Sequence, residues 1–220
     1  MDVLQKPGEG EPYNIMVGSG DREKPLRAFD SALAVQNHFY MIKDRPTVGD
    51  WLTSEEENCN DEPVICLDSL YEMPISNEAL TKDQLDDLAG KKGWYLALSP
   101  GEQVVTAPIT VFETVTFSTH EPTDPEEGAC EADLGTARVY NIDYATAYSP
   151  YGSADCVKCQ EVSGGGLPPS PVAGKVILDD GTIVPFIIGA DPDSPLQSRQ
   201  PPETPPSNQP KSLTYWFIQR

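Results

Sequence analysis

Short runs of β-branched and aromatic residues recur along this chain, with Gly, Pro, Asp and Ser between them. The runs fall at residues 14–17, 38–43, 94–98, 109–112, 115–119, 137–143, 172–178, 183–188 and 213–218. Each is short and most are bounded by turn chemistry, which predicts strands. Within 175–188 the Asp180-Gly181 pair separates two apolar runs. That pair predicts a type I′ hairpin turn, with positive φ at both residues. One helix is predicted near 81–90. Thr81 caps it, Gln84 completes a capping box, Leu85 and Leu88 share a face, and Gly90 stops it. With a strand following at once, the helix reads as an insertion in a connection.

The strands group into repeats. Residues 105–143 carry "VTAPITVFETVTFST", a polar loop, and "ARVYNIDYATA"; residues 167–188 carry "LPPSPVAGKVILDDGTIVPFIIG". Both place a proline before an outer strand, then a turn, then a β-rich strand. "NIMVGSGDRE" followed by "NHFYMIKD" supplies a similar pair earlier in the chain. One antiparallel unit of this size cannot close a core, and radial stacking of such units is the propeller solution. The expected fold is therefore all-β, a partial β-propeller of two to three quinoprotein-like blades over residues 1–190. A closed ring takes about four to eight blades, so the chain alone looks short of closure.

Residues 191–210 (DPDSPLQSRQPPETPPSNQP) are rich in Pro, Ser and Gln and nearly devoid of apolar side chains, the composition of a linker. Residues 211–220 then end in a concentrated apolar run, LTYWFI, expected to dock back on the sheet as a last strand.

Composition narrows the function classes. The chain has 22 prolines and 17 glycines, too many for a helical bundle. Its 35 acidic and 15 basic residues give a net charge of −20, which repels phosphate backbones and anionic lipid. Nucleic acid is therefore not an expected partner. No apolar run approaches the roughly 18 residues of a membrane span. The first residues lack the basic start and apolar stretch of an export signal, as would a chain cut from a longer secreted protein. Five cysteines, Cys59, Cys66, Cys130, Cys156 and Cys159, are candidates for disulfides. Cys59, Cys66 and Cys130 lie in polar, acidic stretches, where cysteines more often staple loops in an oxidising compartment than fill a core. The odd count leaves one thiol over, or one with a partner elsewhere.

Four stretches resemble the C-terminal β-propeller region of PilY-type proteins. They are "VGSGDREKPL" with "NHFYMIKD", "KGWYLAL" with "GEQVVTAPI", "VTFSTHEPTD" with "LGTARVYNIDYATA", and "GGGLPPSPV" with a closing aromatic strand. Their order and spacing cover most of residues 17–188. The resemblance implies terminal propeller blades, a non-catalytic role in type IV pilus assembly or tip adhesion, and a place in the periplasm, at the outer cell surface or at the pilus tip. The partners it implies are minor pilins or the remaining blades of a longer protein. The family's calcium loop of alternating aspartates around a glycine is not matched; Asp191-Pro-Asp193 is the nearest string, so no cofactor is expected.

Candidate chemistry is sparse. Cys156-Val-Lys-Cys159 is a C-x-x-C, the spacing of half a zinc site or of a redox pair. Zinc needs two further ligands, and the histidines are His38 and His120 alone. The surroundings read as loop, whereas a redox pair wants a helix N-terminus. A bridge from one of these cysteines to Cys130 is the expected alternative. Cys59 and Cys66 enclose six residues around Pro63, a comfortable local disulfide. Ser19 lies between glycines in a strand-end turn, with no G-x-S-x-G elbow. His120 reads as a surface residue and His38 as packing. Asp21 and Glu23 flank Arg22, as in a salt bridge or turn. Glu55–Glu57 and Asp124–Glu127 read as solvated loop charges. Gly164–Gly166 is followed by no lysine or helix and is no phosphate cradle. Two other functions remain: a quinoprotein-like oxidoreductase fragment, and a small cysteine-based metal-binding module.

Overall fold

The computed structural model describes residues 1–5, 10–27, 29, 34–123, 134–153, 155–194 and 198–199. The expected linker, apart from its first residues and 198–199, and the whole LTYWFI run lie outside them. The described residues form three β-sheets with one α-helix. The three expected repeat units fall on three different sheets, and no closed barrel or ring is formed among these residues.

The first sheet holds β1 (Asp2–Gln5), β2 (Tyr13–Gly18), β3 (His38–Asp44), β4 (Tyr71–Glu72) and β5 (Gly93–Ala97), in the order β1-β2-β3-β5-β4. Its centre is antiparallel, with Met16 opposite Met41 and Met41 opposite Trp94. β4, in contrast, runs parallel to β5. A parallel pair needs a crossover, usually helical, and α1 (Lys82–Gly90) lies in the connection between the two strands. The helix near 81–90 therefore serves the sheet's own topology. Thr81 and Gln84 form the expected capping box. At the other end the Lys43 ammonium donates to the Leu88 and Lys91 carbonyls. Leu88 is buried while Leu85 is exposed, so the helix presents a narrow stripe to the core.

The second sheet contains β6 (Gln103–Val104), β7 (Ile109–Val111), β8 (Thr114–Glu121), β9 (Thr136–Asp143) and β10 (Cys159–Glu161). Its path is β10-β9-β8-β6, with β7 also pairing with β8. The two sheets meet through aromatic rings. Phe39 of β3 stacks on Phe117 of β8 with centroids 3.8 Å apart, and Phe117 on Tyr140 of β9 at 4.7 Å. Trp94 closes the column beside Phe39, its indole N–H donating to the Tyr144 carbonyl. These side chains belong to one continuous core that also takes in Met16, Met41, Leu96, Val115 and Ile142.

The third sheet comprises β11 (Val172–Ile177), β12 (Ile183–Ile188) and β13 (Ser198–Arg199), in that order. Ile187 and Ala190 pack with Val111 in a small separate cluster. The β11–β12 turn departs from expectation. Gly181 has φ of 82°, but Asp180 is not among the residues with positive φ. Leu178 and Thr182 still pair, and the Gly181 amide donates to the Leu178 carbonyl. This is a three-residue loop with a left-handed Gly181, the bulged alternative to the two-residue turn. Positive φ at both central residues occurs instead between β7 and β8, at Phe112 (46°) and Glu113 (58°), with Val111 opposite Thr114.

Candidate functional site

The stretches that carried the resemblance converge where the first two sheets meet. Gly18, Ser19 and Gly20 run beside β6, and the Val104 amide donates to the Ser19 carbonyl at 3.0 Å. A side chain at position 18 would place its Cβ 2.5 Å from the Val104 methyls, and one at 20 would strike the Val104 backbone. The glycines are there because the two chains approach this closely. Ser19 is fully occupied: its hydroxyl accepts from the His38 amide at 2.8 Å and faces the His38 carbonyl at 3.3 Å. That arrangement holds a strand end in place.

The following residues extend the junction. The Asp21 amide donates to the buried Gln103 side chain, and the Glu23 and Lys24 amides close a turn on Asp21. The ion pair in this turn is Lys24–Asp21, at 3.2 Å. Arg22 instead reaches outward, donating to the Val105 carbonyl at 2.7 Å and the Pro168 carbonyl at 2.9 Å. One guanidinium thereby links the segments at 17–26, 101–109 and 164–172.

Glu102 is the deepest charge at this junction, 1% exposed. It accepts hydrogen bonds from the Thr119 and Tyr140 hydroxyls and from the Ser99 amide. Arg138 lies 3.7 Å away and forms a closer pair with Glu121 at 2.6 Å. Burial and the Glu102 charge hold the Tyr140 phenol well above its ordinary range, so it remains a donor. A buried carboxylate surrounded by donors is a structural network. Glu102 was not singled out by the sequence, because nothing local distinguishes it from the exposed acids around it.

The cysteines form two local bridges. Cys59 is bonded to Cys66, with Cα atoms 5.8 Å apart. Cys59 is buried, 3% exposed, rather than set in an open loop, and its sulfur rests against the Ser69 hydroxyl. Asn60 and Asp61 take left-handed conformations to turn the chain inside the ring. Glu55 beside this loop is also buried and paired with Lys92 at 3.4 Å, unlike the solvated charge expected. Burial alone would raise its carboxyl pKa. Hydrogen bonds from Ser69, Ser54 and Asn58, with the Lys92 charge, outweigh that and hold it below the usual value.

Cys156 is bonded to Cys159, so neither carries the expected bridge to Cys130, which lies outside the described residues. A tight turn from Ser153 to Cys159 brings the two Cα atoms to 5.1 Å, within the span of a disulfide. While bonded, these sulfurs are not the thiolates that zinc requires. The bridge leads into β10 and not into a helix N-terminus. Lys158, inside the motif, is buried and donates to the Ala147 carbonyl, and burial lowers its pKa from 10.5 to about 8.

Both histidines are structural. His38 packs between Tyr40 and Tyr95. His120 is 3% exposed, contrary to the surface position expected, because β8 is covered on both faces; its Nε2 lies 2.8 Å from the Leu134 carbonyl. Asp191 accepts from the Asp193 and Ser194 amides, a turn closed on itself. Gly164, Gly165 and Gly166 all have positive φ, and the first two edge a shallow open depression with Gly135 and Glu161. Asp124–Glu127 lie outside the described residues. Among the described residues no three His, Cys, Asp or Glu side chains gather as a metal-ligand set, and no helix is long and apolar enough to cross a membrane.

No protein-family model matches the chain, and no curated protein matches it. Among solved structures, the crystal structure of the Pseudomonas aeruginosa PilY1 C-terminal domain is similar, with a TM-score of 0.46 and 15% identity. The match covers 84% of this chain and 42% of that one. The chain thus spans less than half the length of that domain, and a likeness this distant assigns neither family nor activity.

Proposed function

We propose that this chain is a non-catalytic segment of a PilY-like β-propeller that supports type IV pilus assembly, tip adhesion or surface-associated motility. The observation that carries this reading is the junction at Arg22. Segments that resemble the family at separated places in the sequence are bonded to one another through this side chain. In this reading the three sheets are blades, and their free edges await the rest of a ring.

Two disulfides favour an oxidising compartment, the periplasm or the cell surface. The polar groups that could suggest chemistry, Ser19, Glu102 and His120, are engaged in holding strands together, which supports a scaffold over an enzyme. The scaffold works without a cofactor, and its partners are minor pilins or further blades. Removing the coding segment in its source cell and restoring it in trans tests the proposal. The expected outcome is fewer surface pili and slower surface motility on removal, with recovery on restoration. Unchanged piliation and motility would reject the pilus role.

A further inference from the structure

The third sheet ends on β11, with no strand beyond it among the described residues. β11 and β12 pair from Val172 opposite Ile188 to Ile177 opposite Ile183. Residues directly opposite share a face, so Val172 and Val176 lie on one side with Val184 and Ile188. Ala173 and Ile187 turn the other way, towards Val111. Val176 is 48% exposed, Ile177 65% and Leu178 47%, so both faces are apolar and open near the hairpin tip. Such an edge is a template for another strand. It also has a defined hydrogen-bonding phase. The Leu178 amide donates to the Thr182 carbonyl across the hairpin, and bonded and unbonded positions alternate along an antiparallel pair. Leu178, Val176 and Gly174 therefore bond towards β12, and the backbone groups of Ala173, Lys175 and Ile177 point to the open edge. Pro185 opposite Lys175 agrees with this phase, because proline has no N–H to give.

We propose that a second copy of this chain adds along the open edge of β11, antiparallel to it and related by a two-fold axis at Ile177. The segment Lys175-Val-Ile-Leu-Asp179 is complementary to itself in that register. Ile177 stands opposite the partner's Ile177, with the edge-facing backbone groups of both in phase. Val176 stands opposite the partner's Leu178, so the apolar face continues across the join. Lys175 stands opposite the partner's Asp179, and the symmetry makes that ion pair twice. Unlike charges directly opposite one another across an antiparallel pair attract, and like charges repel. The nearest other registers that keep the hydrogen-bonding phase set Lys175 against the partner's Lys175, Ile177 or Gly181, and each loses both ion pairs. The net charge of −20 on each copy opposes association, and one edge strand per copy is a small interface. The dimer is therefore a weak one, filled between micromolar and millimolar concentrations. The inference concerns the outer edge of the third sheet alone and does not rest on the pilus reading.

Sedimentation equilibrium of the full chain tests it. The wild type is expected to pass from monomer to dimer mass as its concentration rises. Lys175→Asp sets two carboxylates against each other and Asp179→Lys two ammonium groups, so each is expected to weaken dimerisation about tenfold. Both substitutions in one chain exchange the charges and restore the dimer. Mixing the two single variants gives a heterodimer tighter than either homodimer. Lys175 and Asp179 are exposed, so the fold is expected to survive, with circular dichroism as the check. A wild type that stays monomeric up to millimolar concentration overturns the proposal. So does a dimer that neither reversal weakens, since its interface lies elsewhere, or one that both weaken and the exchange does not restore, since its register is another. Should a reversal disturb the fold, hydrogen exchange of the wild type decides. Exchange in residues 172–178 should slow with concentration while β8 stays unchanged, and exchange independent of concentration rejects the edge.

Discussion

Lys158 shows what burial does to a single ionisable group. Its ammonium donates to the Ala147 carbonyl at 2.9 Å, and burial lowers its pKa from 10.5 to about 8. Because the folded value is the depressed one, the unfolded chain binds more protons between about pH 8 and 10.5. Stability contributed at this site therefore rises with pH across that window and is flat below it. Comparing wild type with Lys158→Met by urea unfolding isolates the effect. The difference should move in favour of the wild type by on the order of 2 kcal/mol between pH 7 and 10.5. A difference that does not change with pH would mean Lys158 is hydrated. Glu102 shows a different arrangement, a buried carboxyl group enclosed by the Ser99 amide, the Thr119 and Tyr140 hydroxyls and Arg138.

The turns carry the clearest lesson among the elements. The β7–β8 hairpin uses Phe112 and Glu113 in the left-handed conformation, which costs about 1–2 kcal/mol per residue for a side chain with a Cβ. Phe112 recovers part of that by packing against the cluster of Val111, Ile187 and Ala190, and the Glu113 carbonyl accepts from the Tyr144 amide. Glu113→Gly should keep the backbone bond, relieve the strain and raise unfolding stability by about 0.5–1 kcal/mol, read as a higher thermal midpoint. At Asp180 the same substitution should lower stability, because that residue does not have positive φ and its carboxylate accepts from the Thr182 amide. Opposite signs at the two turns are the result to look for. Helix α1 shows why local signals can be read correctly while their use is missed. Its capping box is written in four consecutive residues, but the parallel β4–β5 pairing it makes possible joins residues 23 apart, Tyr71 with Trp94 and Glu72 with Tyr95.

At the scale of the whole molecule, two sheets share one core through the column Trp94, Phe39, Phe117 and Tyr140. Neither sheet can lose its inner face without exposing the other's. Phe117→Ala should therefore cost about 3–5 kcal/mol. Trp94 fluorescence and β-sheet circular dichroism should still change at the same denaturant concentration. Separate transitions for the two probes would show that the sheets unfold independently. The third sheet meets the second through a separate, smaller cluster of Val111, Ile187 and Ala190.

The longer strands among the described residues, the capped helix and the Cys59–Cys66 bridge were legible in the sequence. Each follows from residues close together, where turn chemistry, alternation and short loop closure act. The pairing of Cys156 with Cys159 was not legible, although a single turn from Ser153 sets the geometry that favours it over Cys130. The burial of Glu55, Glu102 and His120 was not legible. A charged or polar residue in an acidic stretch looks solvated until a strand from elsewhere covers it. Arg22 behaves likewise: its neighbours suggest a local ion pair, while its partners are carbonyls 83 and 146 residues away. Local sequence thus determined which segments become strands and where they turn. The tertiary structure alone decided which sheets meet and which polar groups lie inside, because burial depends on contacts between segments far apart in the chain.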